Sequence, residues 1–184
     1  MKWSDVCVLV LCVALVSPAI ADGTEYPQIR RTLLLVRDID RSLDFYSRLG
    51  LRIWYEEASE EVTEDGVMHS NALPLSSKPT RGRIVQLMGE ESRNGLIALL
   101  SFDNPDLNEK PKTPGGLGYG DIMILIEVPD LDTAYDEMVA FGAPIHREPF
   151  VMATTIRQDG SAMVGRLMIV YDPDGHVIQI AEVK

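Results

Sequence analysis

Side chains suited to acid–base or metal chemistry are few and scattered in this sequence. The histidines His69, His146 and His176 lie far apart and form neither a His-x-His pair nor a His-Glu-x-x-His motif. No Gly-x-Ser-x-Gly sequence indicates a hydrolase nucleophile. We therefore interpret each histidine as an ordinary surface or loop residue.

Both cysteines, Cys7 and Cys12, lie in an N-terminal segment that is typical of a secretory signal peptide. An apolar run from Val6 to Val16 follows a single lysine and ends in Ala19-Ile20-Ala21. The run is shorter than the roughly twenty residues that span a bilayer, which disfavours a membrane anchor. We expect residues 1–21 to be removed and the chain to be exported to a periplasmic or extracellular location. The mature chain then has no thiol.

The composition favours a folded, acidic protein. The chain has 184 residues, of which 46% are hydrophobic, and its formal net charge is −11. This length suits one medium domain or two small modules. A strongly acidic chain is repelled by phosphate backbones, so we do not expect a nucleic-acid partner.

The mature sequence contains an internal repeat. Residues 34–40 align with residues 126–132 at an offset of 92, and residues 94–100 align with residues 174–180 at an offset of 80. The difference between the two offsets predicts an insertion at about residues 57–81. A repeated order of strand, aspartate cap and helix predicts two similar units.

Each unit has the pattern of a strand, a helix and three further strands. An aspartate precedes each helical pattern, and Gly50 and Gly142 follow the two patterns. The predicted strands cover residues 32–36, 51–55, 83–88 and 96–101 in the first unit and 122–128, 145–150, 165–171 and 177–183 in the second. The Pro- and Gly-rich residues 104–120 are expected to link a first module, residues 22–103, to a second, residues 121–184.

Two segments resemble the vicinal oxygen chelate superfamily, the glyoxalase, bleomycin-resistance and extradiol dioxygenase type. Residues 36–51 follow the pattern Val-x-Asp-x-Asp-x-Ser-x-x-Phe-Tyr-x-x-Leu-Gly-Leu, and residues 171–180 follow Tyr-Asp-Pro-Asp-Gly-His-x-Ile-x-Ile. The resemblance implies an α+β fold of two βαβββ modules, whose curved mixed sheets enclose a cleft. It also implies a possible homodimer.

The resemblance implies four metal-ligand positions, commonly His, Glu, His and Glu. Here they fall on Arg31, on Leu99, on either Asp121 or Met123, and on Gln179. Arginine, leucine and methionine offer no hard donor, and glutamine offers only a neutral oxygen. No cofactor is therefore expected. A divalent metal is the less favoured alternative, with Asp121 as one reserve ligand.

His69 is the second reserve candidate for a metal ligand or base, because it lies in the insertion that we expect to cover the cleft. The predicted ligand-binding residues are Arg31, Leu33, Leu99, Asp121, Met123 and Gln179. They form an apolar concavity with a few polar groups, which is typical of a small-molecule site. Two roles for Arg31 stay open: it anchors an anionic ligand group, or it forms an internal ion pair with Asp121.

The sequence thus predicts an exported protein that binds a small, largely apolar organic molecule without the usual metal. The alternative is a glyoxalase-type lyase or isomerase, or a dioxygenase, with atypical or no metal ligands. Whether the protein is an enzyme stays open at this point.

Overall fold

The structure is a computed structural model that describes residues 29–59, 73–90, 95–109, 117–152, 155–156, 160, 162–163 and 165–183. The predicted signal peptide, His69 and most of the predicted insertion lie outside the described residues. Among the described residues, neither helix is long and apolar enough to cross a membrane.

The first module contains one helix and a four-stranded mixed sheet. Its elements are β1 (Arg31–Leu35), α1 (Ile39–Arg48), β2 (Arg52–Ser59), β3 (Arg81–Met88) and β4 (Leu96–Asp103). The strand order is β1-β4-β3-β2. Strand β1 is parallel to β4, and the other neighbours are antiparallel.

The second module repeats this topology. Its elements are β5 (Met123–Glu127), α2 (Leu131–Phe141), β6 (Ile145–Val151), β9 (Gly165–Tyr171) and β10 (Val177–Val183), in the order β5-β10-β9-β6. A small hairpin of β7 (Thr155–Ile156) and β8 (Ala162–Met163), which the sequence patterns did not predict, lies between β6 and β9 in the chain. The predicted α+β fold of two similar modules is confirmed.

Aspartate side chains begin both helices. Asp38 accepts a hydrogen bond from the backbone N–H of Arg41 at 3.0 Å. Asp130 accepts from the Thr133 hydroxyl at 2.7 Å and from the Asp132 N–H at 3.0 Å. These bonds to the charged form hold the pKa of Asp130 below its usual value. Each cap satisfies backbone donors that the first helical turn leaves unpaired.

The two modules share one hydrophobic core beneath both helices. The rings of Phe45 and Phe141 meet edge to face with centroids 5.5 Å apart. At the margin of this contact, Arg48 forms an ion pair with Glu137 at 2.9 Å. The core draws residues from both sheets, including Leu34, Val85, Leu87, Ile97, Ile126, Met168, Val170, Ile178 and Ile180.

The register of the closing strands corrects the sequence alignment by one residue. Arg31 lies opposite Leu96 in the first sheet, and Met123 lies opposite Val177 in the second. Since Met123 repeats Arg31 at the offset of 92, Val177 repeats Leu96 at an offset of 81 rather than 80. The extra residue is His176, which separates the turn glycine from β10.

Candidate functional site

The face of each sheet that is opposite the helices is called here the cleft face. In β1, Leu34 is buried in the core while Leu33 and Leu35 are 45% and 49% exposed on the cleft face. In β5, Met123 and Leu125 are 48% and 57% exposed on the corresponding face. These four exposed apolar side chains, Leu33, Leu35, Met123 and Leu125, are called the open strip. Alternation along the strands thus places the predicted residues Leu33 and Met123 on the cleft face.

Leu99 does not lie on the cleft face, and the prediction that placed it there is wrong. Its side chain is fully buried in the core beneath the helices. Its neighbour Ala98 lies opposite Leu33 in the parallel register and therefore belongs to the cleft face. Strand β4 is apolar on both faces, so its sequence does not indicate which of its side chains face the helices and which face the cleft.

Side chains from outside the sheet cover the inner strands of the first module on the cleft face. Leu73, Leu75 and Leu107 pack against a buried cluster formed by Ile84, Ala98, Leu100 and Phe102. These three leucines are called the cover. Because the cover fills this part of the cleft face, the exposed apolar side chains of this face lie on the two edge strands, Leu33 and Leu35 on β1 and Tyr55 on β2.

Arg31 begins β1 on the cleft face, in the same alternation as Leu33, and its side chain is exposed. Asp121 precedes β5, and its carboxylate accepts a hydrogen bond from the backbone N–H of Gly118 at 2.8 Å. The ion pairs between described residues do not include one between Arg31 and Asp121. The alternative of an internal Arg31–Asp121 pair is therefore not realised in this structure.

Among the described residues, each module has one glutamine on its cleft face, and the two glutamines are on different strands. Gln179 of β10 lies opposite Leu125 and is partly exposed, and its amide nitrogen lies 3.9 Å from the sulfur of Met123. Gln86 of β3 lies opposite Ala98 and is 5% exposed. Sequence reasoning missed Gln86, although a lone amide within an apolar strand is an available signal.

The residues at the four implied ligand positions do not fit a hard divalent cation. With the register corrected, these positions are Arg31, Ala98, Met123 or Asp121, and Gln179. Arginine and alanine have no lone pair to offer, and a thioether is a soft, weak donor. Among the described residues, no three His, Cys, Asp or Glu side chains are grouped to hold an ion.

A buried network joins helix α1 to the hairpin between β9 and β10. Asp172 is 2% exposed and accepts hydrogen bonds from the Tyr46 hydroxyl at 2.9 Å and the His176 backbone N–H at 2.8 Å. Nδ1 of His176 lies 2.9 Å from the same carboxylate, so this histidine is not the plain surface residue that was expected. Burial, reinforced by the Asp172 charge, raises the pKa of Tyr46. The network therefore holds the two modules together.

A shallow polar pocket of about 300 Å³ lies beside this hairpin, and no cleft-face residue lines it. It is lined by Arg37, Asp38, Arg41, Glu109, Pro173 and Asp174. Arg37 forms an ion pair with Glu109, and its backbone N–H donates to Asp174 at 3.0 Å. Because the charges of Arg37 and Glu109 pair with each other, the cleft face is preferred to this pocket as the candidate ligand site.

Comparison with known structures finds the same fold in several proteins. The chain is similar to a glyoxalase family protein from Bacillus cereus, with 17% identity, a TM-score of 0.60, and coverage of 90% of this chain and 99% of that one. It is similar to the trypanothione-dependent glyoxalase I of Leishmania major, with 20% identity, a TM-score of 0.52, and coverage of 85% and 87%. A domain from Frankia sp. gives 13% identity, a TM-score of 0.54, and coverage of 86% and 99%.

A comparison with curated proteins gives no match. The sequence profile of the glyoxalase/bleomycin resistance protein/dioxygenase superfamily, in contrast, matches residues 28–180. This match covers both modules, including the strand–helix opening and the closing hairpin that carry the sequence resemblance. The chain therefore belongs to the glyoxalase/bleomycin resistance protein/dioxygenase superfamily.

Proposed function

We propose that the protein binds a small, largely apolar organic molecule on its cleft face, without a divalent metal. The observation that carries this proposal is the open strip. Its four large apolar side chains, two on β1 and two on β5, are each 45–57% exposed. They share the sheet faces on which the sequence resemblance puts ligand positions. Exposed apolar surface on a sheet face is unfavourable in water, and its burial by a ligand is a source of binding free energy.

The polar groups beside the open strip indicate the rest of the ligand. Arg31 offers a guanidinium that suits a carboxylate, sulfonate or phenolate. Gln179 lies opposite Leu125 and supplies an amide that can direct a polar substituent. A metal-dependent lyase or dioxygenase would instead require anionic or imidazole ligands where Arg31 and Ala98 stand. Non-covalent binding is therefore better supported than metal-dependent catalysis.

The proposal is tested by titrating the purified protein with the fluorescent probe 8-anilinonaphthalene-1-sulfonate, which combines a bicyclic apolar body with an anion. Leu125→Asp should weaken binding by about tenfold or more, since it replaces an apolar contact with a like charge. Arg31→Leu should cost about 1.5–3 kcal/mol, the scale of a charge-assisted hydrogen bond. The matched control is Val139→Asp, because Val139 is 52% exposed on α2, away from the sheets.

Equal dissociation constants in all four proteins would contradict the proposed site. Metal analysis of the same samples should find less than about 0.2 equivalents of zinc, nickel, manganese or iron, given the poor donor set. A stoichiometric ion that survives dialysis and is lost in Asp121→Ala would overturn the metal-free proposal.

We also propose that the protein acts after export. The support is the N-terminal segment of basic, apolar and small residues that ends at Ala21. N-terminal sequencing of protein from the native host should give Asp22 as the first residue. A soluble protein that retains Met1 would exclude this proposal.

A further inference from the structure

We propose that Gln86 recognises a hydrogen-bond donor on the ligand, so that the preferred ligands are apolar molecules carrying a hydroxyl or N–H group. This inference rests on the proposed binding function and names the ligand class. Its basis is the amide oxygen of Gln86, which has no hydrogen-bond partner among the described residues although it is buried.

The other buried polar side chains of the described chain are all partnered. Asp172 accepts from Tyr46 and His176, Glu182 contacts Arg166 at 3.5 Å, and the Ser42 hydroxyl lies 3.5 Å from Asp174. Gln86 is also buried, with 5% of its surface exposed, but its amide oxygen has no such partner among the described residues. An acceptor that loses water and gains no donor destabilises the folded state. Native proteins retain few such groups, and they retain them for a reason other than stability.

The surroundings of Gln86 make the amide dispensable for folding. Its neighbours in the buried cluster, such as Ile84 and Ala98, are apolar, and the hydroxyl of its β2 neighbour Tyr55 donates to Glu57 instead. A methionine at this position would have similar length and would leave no acceptor unpaired. The amide therefore has a use that packing alone does not supply.

The strand register connects Gln86 to the open strip. Leu33, Ala98, Gln86 and Tyr55 lie side by side on the cleft face, one each on β1, β4, β3 and β2. Neighbouring strands are about 4.8 Å apart, so Leu33 and Gln86 are separated by only the width of Ala98. A small methyl between a long amide and an exposed leucine gives a ligand on the strip a path to the amide oxygen.

The cover must move for this contact to form, because Ala98 is fully buried beneath it. Leu73, Leu75 and Leu107 are only partly buried, and none of them belongs to a strand or helix. Their apolar contacts with the sheet can be replaced by contacts with an apolar ligand. The ligand thus replaces the cover as the apolar neighbour of Ala98, and its hydroxyl or N–H group donates a hydrogen bond to Gln86.

The experiment compares two probes of nearly the same shape, 1-naphthol and 1-methoxynaphthalene, of which only the first donates a hydrogen bond. Wild-type protein should bind 1-naphthol at least tenfold more tightly than its methyl ether. Gln86→Met should weaken 1-naphthol binding to the level of the ether and leave ether binding within twofold. Without probe, the thermal midpoint of Gln86→Met should equal or exceed that of wild type. Gln86→Leu provides a second apolar replacement and should behave in the same way.

The possible outcomes separate this inference from the proposed function. If wild type binds both probes equally, the role of Gln86 is refuted while apolar binding stands. If neither probe binds, the proposed function itself fails. If Gln86→Met lowers the thermal midpoint and leaves the probe ratio unchanged, the amide is structural, satisfied by an internal water, and the inference is overturned.

Discussion

The cleft faces of the two modules have the same strand layout, but the central pair of residues is buried in one module and partly exposed in the other. In the first module, Ala98 and Gln86 are buried under the cover. In the second, the corresponding residues are Gln179 and Ile169, and both are partly exposed. The polar residue is on β3 in one module and on β10 in the other, so the two glutamines do not occupy equivalent positions.

The helix sides of the same sheets show no such divergence. Leu34 and Leu99 in the first sheet correspond to Ile126 and Ile180 in the second, and all four are buried in the shared core. Packing against the helices restricts these positions to large apolar side chains. The cleft faces are free of that restriction. The two modules therefore differ in residue type on the faces where a ligand would bind.

The largest effect that we predict tests this division between the two faces of β4. Leu99→Ala should lower the free energy of unfolding by about 2–5 kcal/mol, because it leaves a cavity in the shared core. Urea denaturation followed by circular dichroism measures the change. The matched control is Leu33→Ala on the cleft face, which should lose less than about 1 kcal/mol since Leu33 is already 45% exposed. A smaller loss for Leu99→Ala than for Leu33→Ala would mean that the faces are assigned the wrong way round.

A smaller effect is predicted for the link between the modules. Tyr46→Phe removes a donor to the buried Asp172 carboxylate and leaves no orphaned hydroxyl. The loss at pH 7 should be about 1–3 kcal/mol, the range for a hydrogen bond to a charged group. Denaturation should stay a single transition, because the rest of the shared core is intact. Two separated transitions would show that this hydrogen bond, rather than the core, couples the modules.

The same variant carries a pH signature. Because the pKa of Tyr46 is raised in the folded protein, the unfolded chain loses this proton first, near the usual tyrosine pKa of about 10. The contribution of Tyr46 to stability is therefore complete below pH 10 and is lost as the pH rises further. Thermal midpoints from pH 7 to 11 should fall less steeply for Tyr46→Phe than for wild type. The fall is reduced and not abolished, since Tyr55 and Tyr135 also have raised pKa values. Parallel curves would remove Tyr46 from the alkaline response.

Sequence patterns predicted the elements whose side chains alternate between water and core. The period of α1 identified a helix with Ile39 and Tyr46 inward, but it did not show that Phe45 is also buried. The same reasoning predicted β4 as a strand but assigned its faces wrongly, because a strand that is apolar on both faces shows no alternation. Aligning Gly95 with Gly175 then placed Leu99 on the wrong face. The sequence does not show that His176 belongs to the turn, where it contacts Asp172, and not to β10. The isolation of Gln86 depends on a cover distant in sequence, and only the folded structure brings the two together.

The smallest predicted effect compares the ends of the two helices, which the repeat places in register. Gly50 has a φ of 88° and Gly142 a φ of 80°, values that favour glycine because a Cβ would clash with its own backbone. A Cβ at either position would meet no other atom within 4 Å. The cost of alanine is therefore a local backbone cost, about 1 kcal/mol at each site. Gly50→Ala and Gly142→Ala should give equal losses in urea denaturation, and Gly142→Asn should lose less because asparagine tolerates this conformation. Unequal alanine variants would mean that the two helix ends, unlike the two core faces, have diverged between the modules.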